Sequence, residues 1–171
     1  MALLKDEQGR DGPRVAYLAD HRKYIPRLAR WAYDQWREFL SSPERGIDQV
    51  LDSLRARLNH DRLPLTLVLL DGDTLLGAVS LKIYDMEDRA DLSPWLAGLF
   101  VNPDFRGRGY GGMLVGACEE KAVELGMSAL HLFTPDAEEY YLPLGWSVME
   151  RPAYRGRMVS IMKKDLARRA D

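Results

Sequence analysis

The order of elements read from the chain predicts a single α/β (α+β) domain. Two amphipathic stretches follow a first short strand, three strands then run in sequence, and a glycine-rich turn opens a third helix. Read to the end, the order is β-α-α-β-β-β-α-β-α-β-β, with no internal repeat and no low-complexity segment. A length of 171 residues suits one core and is short for two. The domain is expected over residues 14–165, between a polar leader at 1–13 and a basic tail at 166–171.

Val15-Ala16-Tyr17-Leu18 reads as the first strand. From about His21 to Leu40, the residues Leu28, Ala32, Trp36, Phe39 and Leu40 fall on one helical face, and Pro26 lies early enough to be tolerated. Trp31 and Trp36 make this helix aromatic, as core packing or as one wall of a binding site. Ser42, Pro43 and Glu44 start the next helix as cap, first helical residue and dipole partner. Ile47, Val50, Leu51, Leu54 and Leu58 give it an apolar face, while Arg55, Arg57 and Arg62 read as solvated. Leu65 to Leu70 is a buried strand, Asp71-Gly72-Asp73 a hairpin turn, and Thr74 to Tyr84 a long partner with a bulge expected at Gly77. An acidic loop over 85–91 leads to the third strand, Pro94 to Val101.

Residues 109–125 form the helix behind the glycines, with Tyr110, Leu114, Ala117, Cys118 and Leu125 on one face, Lys121 the exception there, and Glu119, Glu120 and Glu124 outside. Gly126 stops it. Ser128 to Phe133 is a strand, Thr134-Pro135-Asp136 opens a short helix carrying Tyr140 and Tyr141, and Trp146 to Met149 starts another strand. Residues 150–156 read as a loop and Arg157 to Lys163 as the last strand.

Composition narrows the function. A net charge of −2 argues against a general nucleic-acid binder. One cysteine allows neither an internal disulfide nor a cysteine zinc cluster, and the three scattered histidines make no metal site. No apolar run approaches the roughly 18 residues that span a bilayer. Only Ala2-Leu3-Leu4 precede the charges that begin at Lys5, too little for a signal-peptide core. These features predict a cytoplasmic protein, monomer or homodimer, with no membrane or nucleic-acid partner.

The chemistry concentrates at residues 99–112. Four glycines within the six residues Gly107 to Gly112 strip the side chains from a helix N-terminus. The amides left there lack intrahelical partners and the helix dipole favours negative charge, so the stretch suits a phosphate. Arg106 and Arg108 flank it. A nucleotide P-loop fails because no Gly-Lys-Ser/Thr follows Gly107 at the needed spacing. Gly107-x-Gly109-x-x-Gly112 matches the dinucleotide pattern of an NAD(P)-dependent oxidoreductase, but it follows a three-stranded meander and sits in a single βαβ unit. A tight turn alone leaves the two arginines unexplained.

Val101-x-Pro103-x-x-Arg106-Gly107-x-Gly109-x-Gly111 resembles the central signature of the GNAT superfamily of N-acetyltransferases, and Tyr140-Tyr141-Leu142-Pro143-Leu144-Gly145-Trp146 resembles its second conserved segment. The resemblance implies a mixed, mostly antiparallel sheet of six to seven strands flanked by helices, and acetyl-coenzyme A as cofactor. It implies that the backbone of Gly107, Gly109, Gly111 and Gly112, with Arg106, Arg108 and Tyr110, holds the pyrophosphate. Leu99, Phe100 and Val101 would pair with the pantetheine arm as an added strand, Thr134 is expected on the cofactor, and Thr134 or Asp136 stands where relatives often carry an asparagine just before the short helix. The implied reaction is direct attack of a primary amine on the thioester. Tyr141 aligns with the tyrosine that protonates the leaving thiolate, with Tyr140 beside it as the alternative.

The general base is not legible in the same way. Relatives carry a glutamate on the strand before the glycines, and Trp95 to Phe100 has no acid. Asp85 or Glu87 is the expected base, with Asp88, Asp91 and His131 the other candidates. The acidic loop points to a cationic acceptor, a small molecule or a peptide end, with Trp31 and Trp36 on the acceptor wall. The missing strand acid also admits a non-catalytic acyl-coenzyme A sensor of the same fold.

Overall fold

A computed structural model of the chain describes residues 12–167. Residues 1–11 of the expected leader and 168–171 of the expected tail lie outside that range. A seven-stranded sheet runs β1 (Arg14–Tyr17), β2 (Leu65–Asp71), β3 (Thr74–Lys82), β4 (Trp95–Val101), β5 (Ala129–Thr134), then β9 (Ser160–Asp165) and β6 (Ser147–Glu150) at the far edge. Neighbours are antiparallel except β4 and β5, which are parallel. The mixed, mostly antiparallel sheet is therefore as expected.

Helices α1 (Ile25–Trp36) and α2 (Ile47–Arg55) cover one face, packing Leu28, Ala29, Val50 and Leu54 onto Val68, Leu70 and Ala78. Helix α3 (Tyr110–Glu124) covers the other, packing Leu114, Val115, Cys118 and Ala122 onto Leu67, Leu69, Val79 and Leu96. The short helix α4 (Glu138–Tyr141) adds Tyr141 to that second layer. Buried Lys121 keeps its place on the apolar face of α3 by holding its ammonium 5.2 Å from the Tyr17 ring centroid and 3.1 Å from Glu124. Glu119, expected outside, turns partly inward to meet Lys164 at 2.8 Å.

Three boundaries differ from the sequence reading. The first helix is shorter, with 3-10 turns at Arg22–Tyr24 and Arg37–Phe39 flanking α1. The second begins after Gly46, whose φ of +55° and ψ of −129° break the helix expected from Pro43, and ends at Arg55 rather than 58. The last strand is interrupted at Val159, and the expected loop contains half of a hairpin, β7 (Ala153–Tyr154) with β8 (Arg157–Met158). Arg155 and Gly156 at its tip have φ of +48° and +79°, the left-handed pair that a two-residue hairpin turn needs.

Two irregularities shape β3 and β4. One extra residue in β3 opposite Leu69 and Leu70 makes the bulge expected at Gly77. A Cβ on Gly77 would stand 2.5 Å from the Phe100 carbonyl oxygen, so only glycine lets β4 lie this close. Between Ala97 and Phe100, β4 in turn carries one residue more than β3 opposite, and Gly98 takes a φ of +59° there.

Candidate active site

The glycine-rich turn is anchored before it begins. Asn102 donates from its backbone amide to Leu76 at 2.8 Å and from its side chain to Leu75 at 3.2 Å, and its side-chain oxygen caps the following turn at Asp104. Gly107 and Gly109 then adopt φ of +77° and +81°, open to glycine at no steric cost. Gly109 is the N-cap of α3 and no side chain satisfies the first-turn amides. A Cβ at 107, 109 or 112 would meet nothing within 4 Å, so the turn is open on that side. A bare, unsatisfied helix N-terminus of this kind fits the pyrophosphate of coenzyme A. Arg106 folds back, donating from Nε to the Val101 carbonyl at 3.1 Å with its guanidinium 5.2 Å from the Phe100 ring centroid. Arg108 lies 5.2 Å from the Phe105 ring centroid. Both arginines thus stay at the turn.

β4 and β5 share one parallel pair, Trp95 with His131. Beyond it they separate, and a cavity of about 570 Å³ opens where they part. Gly98, Leu99 and Phe100 line it, so the β4 bulge, with its residue outside the ladder, belongs to the cavity wall. Trp31 and Trp36 line the α1 side. Trp31 stacks on Phe100 at 5.1 Å between centroids and Trp36 meets the same ring edge-on at 6.1 Å. The expected acceptor wall and the expected cofactor strand therefore touch.

On the far side of the opening, Tyr141 lines the cavity while packed in the α3 layer. Burial, then the neighbouring Tyr140 and Cys118, push its phenol above the ordinary value, so it keeps its proton throughout the neutral range. Tyr140 does not line the cavity; it is half-exposed, and a Cβ on Gly111 would stand 2.3 Å from its hydroxyl. Position thus separates the two tyrosines that spacing alone leaves adjacent. Thr134 is buried, lines the cavity, and accepts the Ala137 amide on its hydroxyl at 2.9 Å, which leaves the hydroxyl proton to donate.

The candidate bases separate as well. Asp85 lines the cavity, is 16% exposed, and is held by Lys82 at 2.8 Å. Glu87 also lines it but is 66% exposed and bound to Arg155 at 2.5 Å. Asp91 is tied to Arg89, which also grips Glu150, and Asp88 does not line the cavity. His131 is buried and does not line the cavity, and its Nδ1 lies 3.1 Å from the Pro94 carbonyl. Three of the four acids in the loop are paired with basic side chains.

Sequence reasoning missed two groups. Arg57, expected on a solvated face, turns inward past the end of α2 and donates to Ser80 at 3.1 Å and Ser53 at 2.5 Å. The β7–β8 hairpin closes the rim: Arg155 donates to the Leu40 carbonyl at 3.1 Å, and Arg157 meets Glu38 at 2.5 Å and Asp136 at 3.8 Å. Only the Gly156 turn signal marks that hairpin in the sequence.

Solved structures share this architecture. An acetyltransferase from Streptococcus agalactiae is 18% identical, with a TM-score of 0.66, over 91% of this chain and 99% of that one. An aminoglycoside 6'-N-acetyltransferase complexed with coenzyme A is 17% identical, with a TM-score of 0.70, over 92% of this chain and 99% of the other. N-acetylglutamate synthase from Neisseria gonorrhoeae, complexed with coenzyme A and N-acetyl-glutamate, is 20% identical, with a TM-score of 0.65, over 91% of this chain and 35% of that longer one. No curated protein matches the sequence. The family profile described as Acetyltransferase (GNAT) family matches residues 25–146, from the start of α1 through the second signature segment. With that match spanning most of the chain, the protein belongs to the GNAT acetyltransferase family.

Proposed function

We propose that the protein is an acetyl-coenzyme A-dependent N-acetyltransferase acting on a primary amine. The observation that carries this reading is the cavity where β4 and β5 separate, which contains a buried phenol and a carboxylate, together with the bare α3 N-terminus that follows β4 in the chain. Gly107 to Gly112 would hold the pyrophosphate on their amides, helped by Arg106 and Arg108, and Leu99 to Val101 would pair with the pantetheine arm. The cofactor supplies an acetyl thioester whose sulfur leaves as a thiolate.

The chain's own groups supply the rest. Backbone donors at the β4 bulge polarise the carbonyl under attack. Asp85, paired with Lys82, takes a proton from the amine directly or through one water, and Glu87 is the outer alternative. Tyr141 gives its phenolic proton to the departing sulfur. Burial makes a phenol a reluctant donor, but it raises the proton affinity of a thiolate in the same surroundings too. The buried Cys118 thiol, likewise pushed up, illustrates the effect. The thioester supports this reading only if it turns over: release of free thiol from acetyl-coenzyme A is followed across a panel of amines. Amine-dependent release is the expected result. Tight acetyl-coenzyme A binding with no release on any amine would leave a sensor, and stabilisation by NAD(P) but not coenzyme A would remove both.

A further inference from the structure

Arg57 is the one charge in the cavity wall, among the described residues, with no opposite charge at ion-pair distance. Lys82 holds Asp85, Arg155 holds Glu87, and Arg157 lies between Glu38 and Asp136. Arg57 reaches only the hydroxyls of Ser53 and Ser80, and Ser80 is itself bonded to Thr66 at 2.7 Å. Asp85 is the carboxylate whose charge acts on it, and Lys82 already occupies that group, so the cluster has two cations for one anion. Withdrawal from water pushes the guanidinium's pKa down, the mark of a cation that its surroundings leave under-compensated.

Position adds to charge. Ser80 on β3 pairs across the ladder with Ala97 on β4, so Arg57 is anchored one strand, about 4.8 Å, from the strand that would hold the thioester. The two serines take one donor from each terminal nitrogen of the planar fork, and Arg57 lines the cavity. A guanidinium fork binds a carboxylate with two parallel hydrogen bonds.

Resting on the acetyl-transfer reading above, we infer that the acceptor is a small amine that also carries a carboxylate, of the amino-acid class. Arg57 binds that carboxylate within the Ser53, Ser80 and Thr66 cluster. Lys82 and Asp85 stand beside it, so a zwitterionic acceptor meets both signs of charge, its carboxylate at Arg57 and its amine toward Asp85 and the β4 bulge.

The test compares thiol release from acetyl-coenzyme A for paired acceptors: amino acids with the amine at the α or a more distant carbon, their methyl esters, and their decarboxylated counterparts. The free acids are expected to exceed the matched esters and amines by about ten- to a hundred-fold in kcat/KM, as a charge-assisted bond would give. That preference is expected to fall to near unity in Arg57→Met and to be partly kept in Arg57→Lys. The wild-type comparison stands even where the Arg57 variants fold poorly. Equal or better use of the esters or decarboxylated amines would overturn the carboxylate subsite alone. No transfer to any amine would overturn the enzyme reading, and this inference with it.

Discussion

The two halves of the proposed site are made of different material. The cofactor half is backbone: two left-handed glycines, a bare helix N-terminus, a bulge and a separated pair of parallel strands, all within 95–134 of the chain. The acceptor half is side chain, drawn from α1, the end of α2, β3, the 83–92 loop and the β7–β8 hairpin. A backbone site reuses one geometry and depends on what is absent, the Cβ atoms. A side-chain site depends on what distant segments bring together, and it changes with each substitution. The cofactor half therefore explains the family, and the acceptor half must explain the individual enzyme.

The largest expected effect lies in the backbone half. Gly109→Val forces a β-branched residue to a φ of +81° and sets its side chain beside the amides. Coenzyme A affinity by calorimetry is expected to fall on the order of a hundredfold or more, with circular dichroism unchanged. Retained affinity would put the cradle elsewhere. Next comes the residue that serves both halves. Tyr141→Phe is expected to lower kcat about ten- to a thousand-fold with near-normal coenzyme A binding, whereas Tyr140→Phe changes kcat about threefold at most. Equal losses in both would mean the phenol acts structurally.

Smaller effects probe the acceptor half. Asp85→Asn is expected to lower kcat/KM about tenfold without weakening coenzyme A. An unchanged kcat/KM would shift the role to Glu87. Trp36→Ala is expected to raise the acceptor KM several-fold, up to about tenfold, leaving coenzyme A affinity within about twofold. If coenzyme A affinity falls instead, the contact of Trp36 with Phe100 supports the cofactor strand and the two halves are not separable.

The same contrast explains what the sequence makes legible. Glycine at positions 107, 109 and 111, and the tyrosine placed before Gly145 and Trp146, have local reasons that can be read from spacing, and the order of strands before them rules on the fold. Arg57 has no such local reason. On an ideal helix to residue 58 it lies at the edge of the apolar face, on the flank opposite Arg55, where an arginine reads as solvated. Because α2 ends at Arg55, the chain turns and carries Arg57 under the helix, onto Ser80 from a strand 23 residues away. The acidic loop is partly legible: Lys82 and Arg89 lie three and two residues from the acids they hold, whereas Arg155, the partner of Glu87, comes from a distant hairpin. His131 has alternating strand neighbours and gives no sign of which face meets the cavity; its bond to Pro94 decides that.

A crystal structure of the protein with coenzyme A tests the central claim most directly. The account predicts the pyrophosphate on the amides of Gly107 to Gly112, the pantetheine arm along Leu99 to Val101 in the opening between β4 and β5, and the sulfur facing Tyr141. A pyrophosphate bound away from the α3 N-terminus, or a sulfur on the opposite side of the sheet from Tyr141, would contradict it.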